Sequence, residues 1–410
     1  MKTGLDHLEA RFSEREPQVR AFLPEEGRFE RLRREGEELT ARWPDPAKQP
    51  PLFGVPVGVK DIFHVDGFET RAGSRLPPEV LRGPEAAVVK TLREAGALIL
   101  GKTVSTEFAY FAPGPTRNPW NPEHTPGGSS SGSAAAVAAG LCPVALGTQT
   151  IGSIIRPAAF CGVVGFKPTR GRISTDGVIP LSPSFDHVGF FARDAHEARF
   201  VGGLLLDEPP FELATRQPQL GVPEGPYLSR VSPEGLAHFE SVCERLAAAG
   251  YIVKPVPAMA DFDEIVERHK RVVAAEAARV HKDWFTRYEE LYAPQTAELL
   301  RKGQGITDAE LERDRSGGER LLSALTRLMD RYRIDLWISP PALGAAPRGL
   351  DSTGDPVMNL PWTHAGVPTL CLPAGRNGDG LPMGLQIAGG LGDDEDLLFW
   401  AGDLESALRQ

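Results

Sequence analysis

The sequence predicts an α/β fold, and two stretches of similar grammar carry that expectation. Residues 85–94 read as a helix stopped at Ala95-Gly96, and Ala97-Leu98-Ile99-Leu100 reads as the buried strand that follows. The pattern returns where Ser232 caps, Pro233 opens, residues 234–249 continue as a helix, Gly250 ends it and Tyr251-Ile252-Val253 forms a strand. With 410 residues, 41% of them hydrophobic, the chain is long enough to bury a large core, and it is read as one domain over residues 1–410.

The other elements follow in chain order. Residues 5–42 alternate charge with sparse apolar side chains, as one or two surface helices do, and residues 44–51 form a proline-rich connector. Gly54-Val55-Pro56-Val57-Gly58-Val59-Lys60 is an alternating run that would deliver a lysine to the interior at a strand end. Residues 134–139 are small, strongly helix-forming and suited to a buried helix ended by Gly140. Residues 143–146 then make a short strand, and Gly147-Thr148-Gln149-Thr150-Ile151-Gly152-Ser153 leaves it as a turn. Residues 258–333 read as amphipathic helix, an insert or lid, with Trp284, Phe285, Tyr288 and Tyr292 grouped as core near its middle. Residues 335–339 form a strand that runs into a Gly/Pro loop reaching Gly354. Asp393-Asp394-Glu395-Asp396 resembles a metal cluster, but before Leu397-Leu398-Phe399-Trp400 it is better read as acids in a first helical turn, favoured by the helix dipole.

Composition narrows the function. A formal charge of −10 supplies no clustered cation surface for phosphates, so direct nucleic-acid binding is not expected. The four cysteines lack metal-ligand spacing and read as reduced thiols, mostly in apolar segments. No apolar run approaches membrane-spanning length and residues 1–34 are too charged for a signal peptide, so the expectation is a cytoplasmic protein.

Chemistry concentrates between residues 125 and 172, where two serine clusters lie in a run of little charge. Gly127-Gly128-Ser129-Ser130-Ser131-Gly132-Ser133 crowds hydroxyls at a helix N-terminus, and Ser153 sits on a turn with backbone amides near it. A helix and a returning strand separate Ser129 from Ser153, which suffices to bring the two hydroxyls together. A serine hydroxyl is a weak nucleophile until a base takes its proton. Lys60 is the candidate base, because burial disfavours the ammonium and draws a lysine from about 10.4 towards neutrality. The plainer alternatives are helix capping and turn formation for the serines and an ordinary strand-end position for the lysine.

At these residues the chain resembles the amidase signature family. The resemblance spans residues 54–74, 125–172, Ser182-Pro183-Ser184-Phe185-Asp186-His187-Val188-Gly189 and residues 359–386. It implies a central mixed sheet covered on both sides by helices, with Lys60 as base, Ser129 as the serine of a cis peptide that relays a proton, and Ser153 as nucleophile. It further implies that Thr148 helps hold Ser129 and that backbone N–H groups of Thr150, Ile151, Gly152 and Ser153 stabilise the oxyanion. The implied activity is hydrolysis of a small carboxylic amide to an acid and ammonia or an amine through an acyl-Ser153 intermediate, without metal or cofactor.

The commonest family pattern, G-T-D-x-G-G-S-x-R, is altered here. Gln149 replaces the acid, Ile151 replaces a glycine, and the arginine falls at Arg156. Because a β-branched residue resists positive φ, the turn must adopt a conformation open to isoleucine. The displaced arginine resembles the malonamidase-type branch, in which it contacts a substrate carboxylate; this implies an acidic monoamide as substrate. An internal salt bridge is the structural alternative for Arg156. Two other classes stay open: a glutamine-amidotransferase A subunit that works with partner subunits, against which the length and the displaced arginine count, and a non-catalytic member of the fold. A homodimer is compatible with the sequence, which fixes no oligomeric state.

Two further motif matches lack the context their chemistry needs. Gly96-Ala97-Leu98-Ile99-Leu100-Gly101-Lys102-Thr103 fits the phosphate-cradling loop, but its middle residues are themselves the strand, whereas that loop must follow one. Gly128-Ser129-Ser130-Ser131-Gly132 fits a nucleophile elbow centred on Ser130, with His187 or His364 as base, yet the preceding segment is a proline-broken loop rather than a strand.

Overall fold

The computed structural model describes residues 2–206 and 216–409. Helices α1 (Lys2–Val19) and α2 (Arg28–Arg42) lead through the proline-rich connector to strand β1 (Pro56–Lys60). There follow α3 (Ala87–Glu94), β2 (Leu98–Thr103), α4 (Ser131–Ala138), β3 (Val144–Gln149), α5 (Ile155–Cys161), β4 (Val164–Lys167), β5 (His187–Ala192) and α6 (Ala195–Leu205). The second half runs β6 (Leu220–Glu224), α7 (Pro233–Ala248), β7 (Val253–Pro257), then α8 (Phe262–Val280), α9 (Lys282–Tyr288), α10 (Pro294–Gln304) and α11 (Asp308–Tyr332). It closes with β8 (Leu336–Ser339), α12 (Leu360–Ala365), β9 (Thr369–Arg376), β10 (Pro382–Ala388) and α13 (Asp394–Arg409).

The strands form one mixed sheet of ten, ordered β2-β1-β3-β5-β4-β9-β10-β8-β6-β7. β1 pairs in parallel with β2 and β3 near one edge, and β6 pairs in parallel with β7 and β8 at the other, while the central pairs are antiparallel. Apolar side chains cover both faces, as expected for this fold class. Leu98 and Leu100 pack in the core beneath α1, α2, α4 and α5, whereas the intervening Ile99 packs in the larger core on the opposite face.

The same alternation aims Lys60. Val57 and Val59 enter the larger core. A side chain at Gly58 would meet Thr103 and Ala145 on the other face, at 2.9 and 3.3 Å, so only glycine lets these strands and α4 pack together there. Lys60, two residues after Gly58, falls on that same side, towards the segment that opens α4.

Several element ends differ from expectation for identifiable reasons. β3 continues to Gln149, because Gly147, Thr148 and Gln149 pair with Gly189, Val188 and His187 of β5; the turn therefore begins at Thr150. β7 begins at Val253, two residues after Tyr251. The capping expectation fails at α4: Ser130 occupies the N-cap, but its hydroxyl goes to the Thr148 carbonyl at 3.1 Å instead of the helix amides. At α7 the cap is as read, with the Ser232 hydroxyl accepting from Gly235 N–H at 3.1 Å and Pro233 opening the helix. Asp394 opens α13 and accepts from Thr169 N–H at 2.7 Å, so the acidic run belongs to a helix start. Phe285 and Tyr292 are buried, and Phe108 stacks between Tyr292 and Trp284 with ring centroids at 5.4 and 6.1 Å.

Candidate active site

Lys60 is fully buried at the end of β1, and its Nζ donates to Ser129 Oγ at 2.7 Å and to Thr148 Oγ1 at 2.8 Å. Burial holds this amine well below the ordinary lysine value, with the Asp186 carboxylate pulling weakly the other way. The peptide bond between Gly128 and Ser129 is cis. Thr148, on β3, reaches the site through Lys60 and so steadies the amine that contacts Ser129.

The turn after β3 is pinned residue by residue. Gln149, which stands where the family pattern has an acid, accepts from the N–H groups of Ile154 and Ile155 at 2.8 and 3.0 Å; the amide oxygen satisfies the orphan donors where α5 begins. Its amide nitrogen donates to Thr363 Oγ1 at 2.9 Å. The Thr150 hydroxyl donates to Asp186 at 2.5 Å, and Asp186 also accepts from Leu181 and Ser182 N–H at 2.8 and 3.0 Å. Burial pushes the Asp186 carboxyl up against these three donors. Ile151 is absent from the residues with positive φ, so the turn does adopt a conformation open to isoleucine. Gly152 is required for space: a Cβ there would lie 2.3 Å from Asn359 Oδ1 and 2.8 Å from Pro356 Cβ. Among the described residues, the N–H groups of Ile151, Gly152 and Ser153 donate to no other protein group.

Ser153 lines a cavity of about 10 Å³, room for about one water, together with Thr150, Ile151, Gly152, Arg156, Leu181 and the segment from Ala109 to Phe111. Tyr110, Phe111, Ile151 and Pro356 also line a neighbouring cleft of about 970 Å³ that is walled by α8, α10 and the loop of residues 351–357. Cations and anions share this larger wall, among them Arg230, Lys270, Asp263 and Glu267.

Arg156, on the first turn of α5, is 1% exposed. Its Nη2 donates to the Gly128 carbonyl at 2.6 Å and to Thr353 Oγ1 at 3.1 Å, while Nε and Nη1 are buried without a partner. Burial lowers its pKa to about 10, against a pull from Asp355, so the guanidinium stays charged at neutral pH. The internal salt bridge considered for this residue is therefore replaced by a carbonyl and a hydroxyl.

The competing candidates lie elsewhere. Ser130 is bound to Thr148 backbone atoms. His187 turns Nδ1 to the Phe185 carbonyl at 2.6 Å, and His364 faces His269. Lys102, the lysine of the phosphate-loop match, is buried in an ion pair with Asp61 at 2.8 Å. A third buried amine, Lys167, is lowered to about 7 by desolvation, but it donates to the carbonyls of Pro168 and Val367. Among the described residues no group of His, Cys, Asp and Glu is arranged to hold a metal ion, and no helix is long and apolar enough to cross a membrane.

Sequence reasoning missed Asp186, Gln149 as a helix cap, Thr363 and His269. Asp186 was within reach, since it sits in the matched segment of residues 182–189. Thr363 and His269 meet the turn only through tertiary packing.

A mixed sheet of this topology, with a buried amine bonded to a serine and a second serine on a turn of unpaired amides, defines an enzyme that acts on carbon–nitrogen amide bonds. The amidase family model matches residues 11–398, and the chain belongs to that family, the amidase signature enzymes. Similar curated proteins include the A subunit of glutamyl-tRNA(Gln) amidotransferase from Synechococcus sp. (strain RCC307), 30% identical with 99% of this chain and 94% of that protein covered. Its counterpart from Nitratidesulfovibrio vulgaris (strain DP4) is 33% identical over 97% of this chain and 92% of that protein. Among solved structures, a crystal structure described as an amidase matches with TM-score 0.89 and 34% identity, covering 98% of this chain and 95% of that one. Native peptide amidase from Stenotrophomonas maltophilia matches with TM-score 0.81 and 27% identity, covering 99% and 93%.

Proposed function

We propose that this enzyme hydrolyses a small carboxylic amide through an acyl-Ser153 intermediate. The observation that carries the reading is the fully buried Lys60 amine, held well below its ordinary value and 2.7 Å from Ser129 Oγ. Neutral Lys60 accepts the Ser129 proton as Ser129 takes the proton of Ser153, and the Ser153 oxygen attacks the amide carbonyl. Negative charge developing on the carbonyl oxygen meets the N–H groups of the turn from Thr150 to Ser153, each such donor being worth about 2.7–4 kcal/mol. The relay then runs backwards, protonating the leaving nitrogen as the C–N bond breaks. Water, deprotonated by the same base, attacks the ester; its collapse releases the acid and returns the proton to Ser153.

Arg156 supports a substrate whose acyl part carries its own carboxylate, as in the malonamidase-type branch. Two of its guanidinium nitrogens are buried without partners, and it lines the same small cavity as Ser153. A buried unpaired donor is costly, and a substrate carboxylate is a strong acceptor that would satisfy one of these donors.

The second reading is a glutamine-amidotransferase A subunit, favoured by the names of the curated relatives. A fluorophosphonate probe followed by peptide mapping tests the nucleophile, with an adduct on Ser153 expected and its absence from Ser153 fatal to the mechanism. Turnover of monoamides bearing a carboxylate by the purified chain separates the two readings. Glutamine hydrolysis that requires added partner subunits would favour the second. The reading also places the enzyme in the cytoplasm, with a homodimer as its assembly to be tested by light scattering.

A further inference from the structure

We infer that His269 is a positioning residue for the oxyanion-binding turn, acting on it through the Thr150 carbonyl. The inference rests on the acyl-Ser153 reading and adds to it a residue from the helical segment that follows β7. His269 Nε2 lies 3.1 Å from the Thr150 carbonyl oxygen, and a carbonyl only accepts, so Nε2 carries the hydrogen. Its Nδ1 lies 3.3 Å from Nδ1 of His364. With both rings neutral, His269 Nδ1 must accept and His364 Nδ1 must donate, so the α12 histidine supports the tautomer that the Thr150 carbonyl requires. Burial keeps both imidazoles below their ordinary value, His364 at about 4.

The neighbouring carbonyl is held in the same manner. Thr363, adjacent to His364 on α12, donates to the Ile151 carbonyl at 2.7 Å. In a trans peptide the N–H points opposite to the C=O. Tying down the Thr150 and Ile151 carbonyls therefore turns the Ile151 and Gly152 N–H groups away from these partners; both residues line the Ser153 cavity. The helix bearing His269 is itself fixed: Phe185 stacks on the imidazole at 4.2 Å between centroids, and Glu276, two turns along α8, accepts from the hydroxyls of Ser182 and Ser184 at 2.6 and 2.5 Å. A donor aimed before the charge develops needs no reorganisation during reaction, and that is what His269 supplies.

The test compares His269→Leu, which removes the donor, with His269→Gln, whose side-chain amide can again reach the Thr150 oxygen. For the best amide substrate, the leucine variant should lose about 10- to 100-fold in kcat with KM changed less than threefold, and a boronic acid that forms a tetrahedral adduct on serine should bind more weakly by a similar factor. The glutamine variant should recover most of both. Should the leucine variant not fold, His269→Asn replaces it, since its amide falls short of the carbonyl. Undiminished kcat, or a loss of stability with boronate affinity kept, would overturn the inference. Ser153→Ala separates the two levels: if it abolishes turnover while His269→Leu does nothing, only the positioning role falls; if it leaves turnover intact, the acyl-enzyme reading falls with it.

Discussion

The Nη2 of Arg156 holds the carbonyl oxygen of Gly128 at 2.6 Å, so the arginine three residues beyond Ser153 is tied to the peptide oxygen immediately before Ser129. One guanidinium thus joins the two serine segments, keeps two buried nitrogens unpaired, and belongs to a residue that lines the small cavity. Its removal should consequently affect every substrate, but unequally. Loss of the Gly128 contact costs roughly 1.5–3 kcal/mol, about 10- to 100-fold in kcat/KM for neutral amides in Arg156→Ala. Amides carrying an acyl-side carboxylate should lose a further ~100-fold, because their own charge is then stranded. Steady-state kinetics on a matched acidic and neutral pair decides the matter, and equal losses would remove the carboxylate role.

Lys60 sets a pH dependence whose sign is fixed by its burial. Only the neutral amine accepts a proton, so kcat/KM should rise with pH along a single ionisation lying well below that of an ordinary lysine. Lys60→Met should cost at least about 100- to 10,000-fold. Lys167 is the confounding group, being lowered to about 7, yet its amine serves two carbonyls elsewhere. Lys167→Met should therefore leave the profile in place in whatever folded fraction is recovered; a profile that moves with Lys167 would discredit the assignment to Lys60.

The same burial links Lys60 to stability. The unfolded chain keeps this lysine protonated up to about pH 10.4, whereas the folded chain holds it neutral at lower pH, so the unfolded state binds the additional proton across that window. Burying the neutral amine accordingly costs stability at neutral pH, a cost that shrinks as pH rises towards 10 and grows as pH falls. Urea unfolding of wild type and Lys60→Met at several pH values should show the difference between them shrinking towards alkaline pH. A difference independent of pH would mean that Lys60 is charged in the folded protein.

At Gly152 the limit is spatial. A methyl group there has to displace Asn359 or Pro356, which it would approach to 2.3 and 2.8 Å. Both wall residues belong to the segment that leads into α12, so the turn is the more easily moved partner. Gly152→Ala should lower kcat by about 100-fold, the typical cost of misplacing reacting groups by about 1 Å, with far less effect on Tm than a core cavity has. Unaltered kcat would show that the Gly152 N–H is not needed near the substrate.

The residues proposed to bear the chemistry were legible because their types and segments are unusual together. A lysine ending an alternating apolar run and serines flanking a run of alanines drew attention to Lys60, Ser129 and Ser153, and the resemblance to the amidase signature family assigned their proposed roles. Local grammar likewise placed α3, α4, α7 and α13. What sequence could not supply was contact between distant segments. β3 reaches Gln149 because β5 pairs with it, Ser130 abandons its cap because the Thr148 backbone is closer to its needs, and Gln149 serves α5 with an oxygen that an acid could equally have offered. His269 lies on a helix whose pattern reads simply as amphipathic; only packing brings it to Thr150.

Lys102 and Asp61 show how a short motif is absorbed by the fold. The phosphate-loop match ends on a lysine that is 3% exposed, paired at 2.8 Å with an aspartate that is 1% exposed, and further bonded to Thr70 Oγ1 at 3.1 Å. Asp61 follows Lys60 directly, and its carboxylate also accepts from Arg71 N–H at 3.2 Å. The pair thus anchors the chain as it leaves Lys60. Breaking it by Lys102→Met strands a buried carboxylate and should destabilise the protein by about 3–5 kcal/mol, with activity falling only as the folded fraction falls. Combining Lys102→Met with Asp61→Leu removes both charges and should restore much of that loss, since two apolar side chains of similar volume need no partner. Urea unfolding of the two singles and the double closes the cycle. Additive losses would mean that the two charges do not interact, and saturable binding of ATP that Lys102→Met abolishes would return the motif to the role its spacing first suggested.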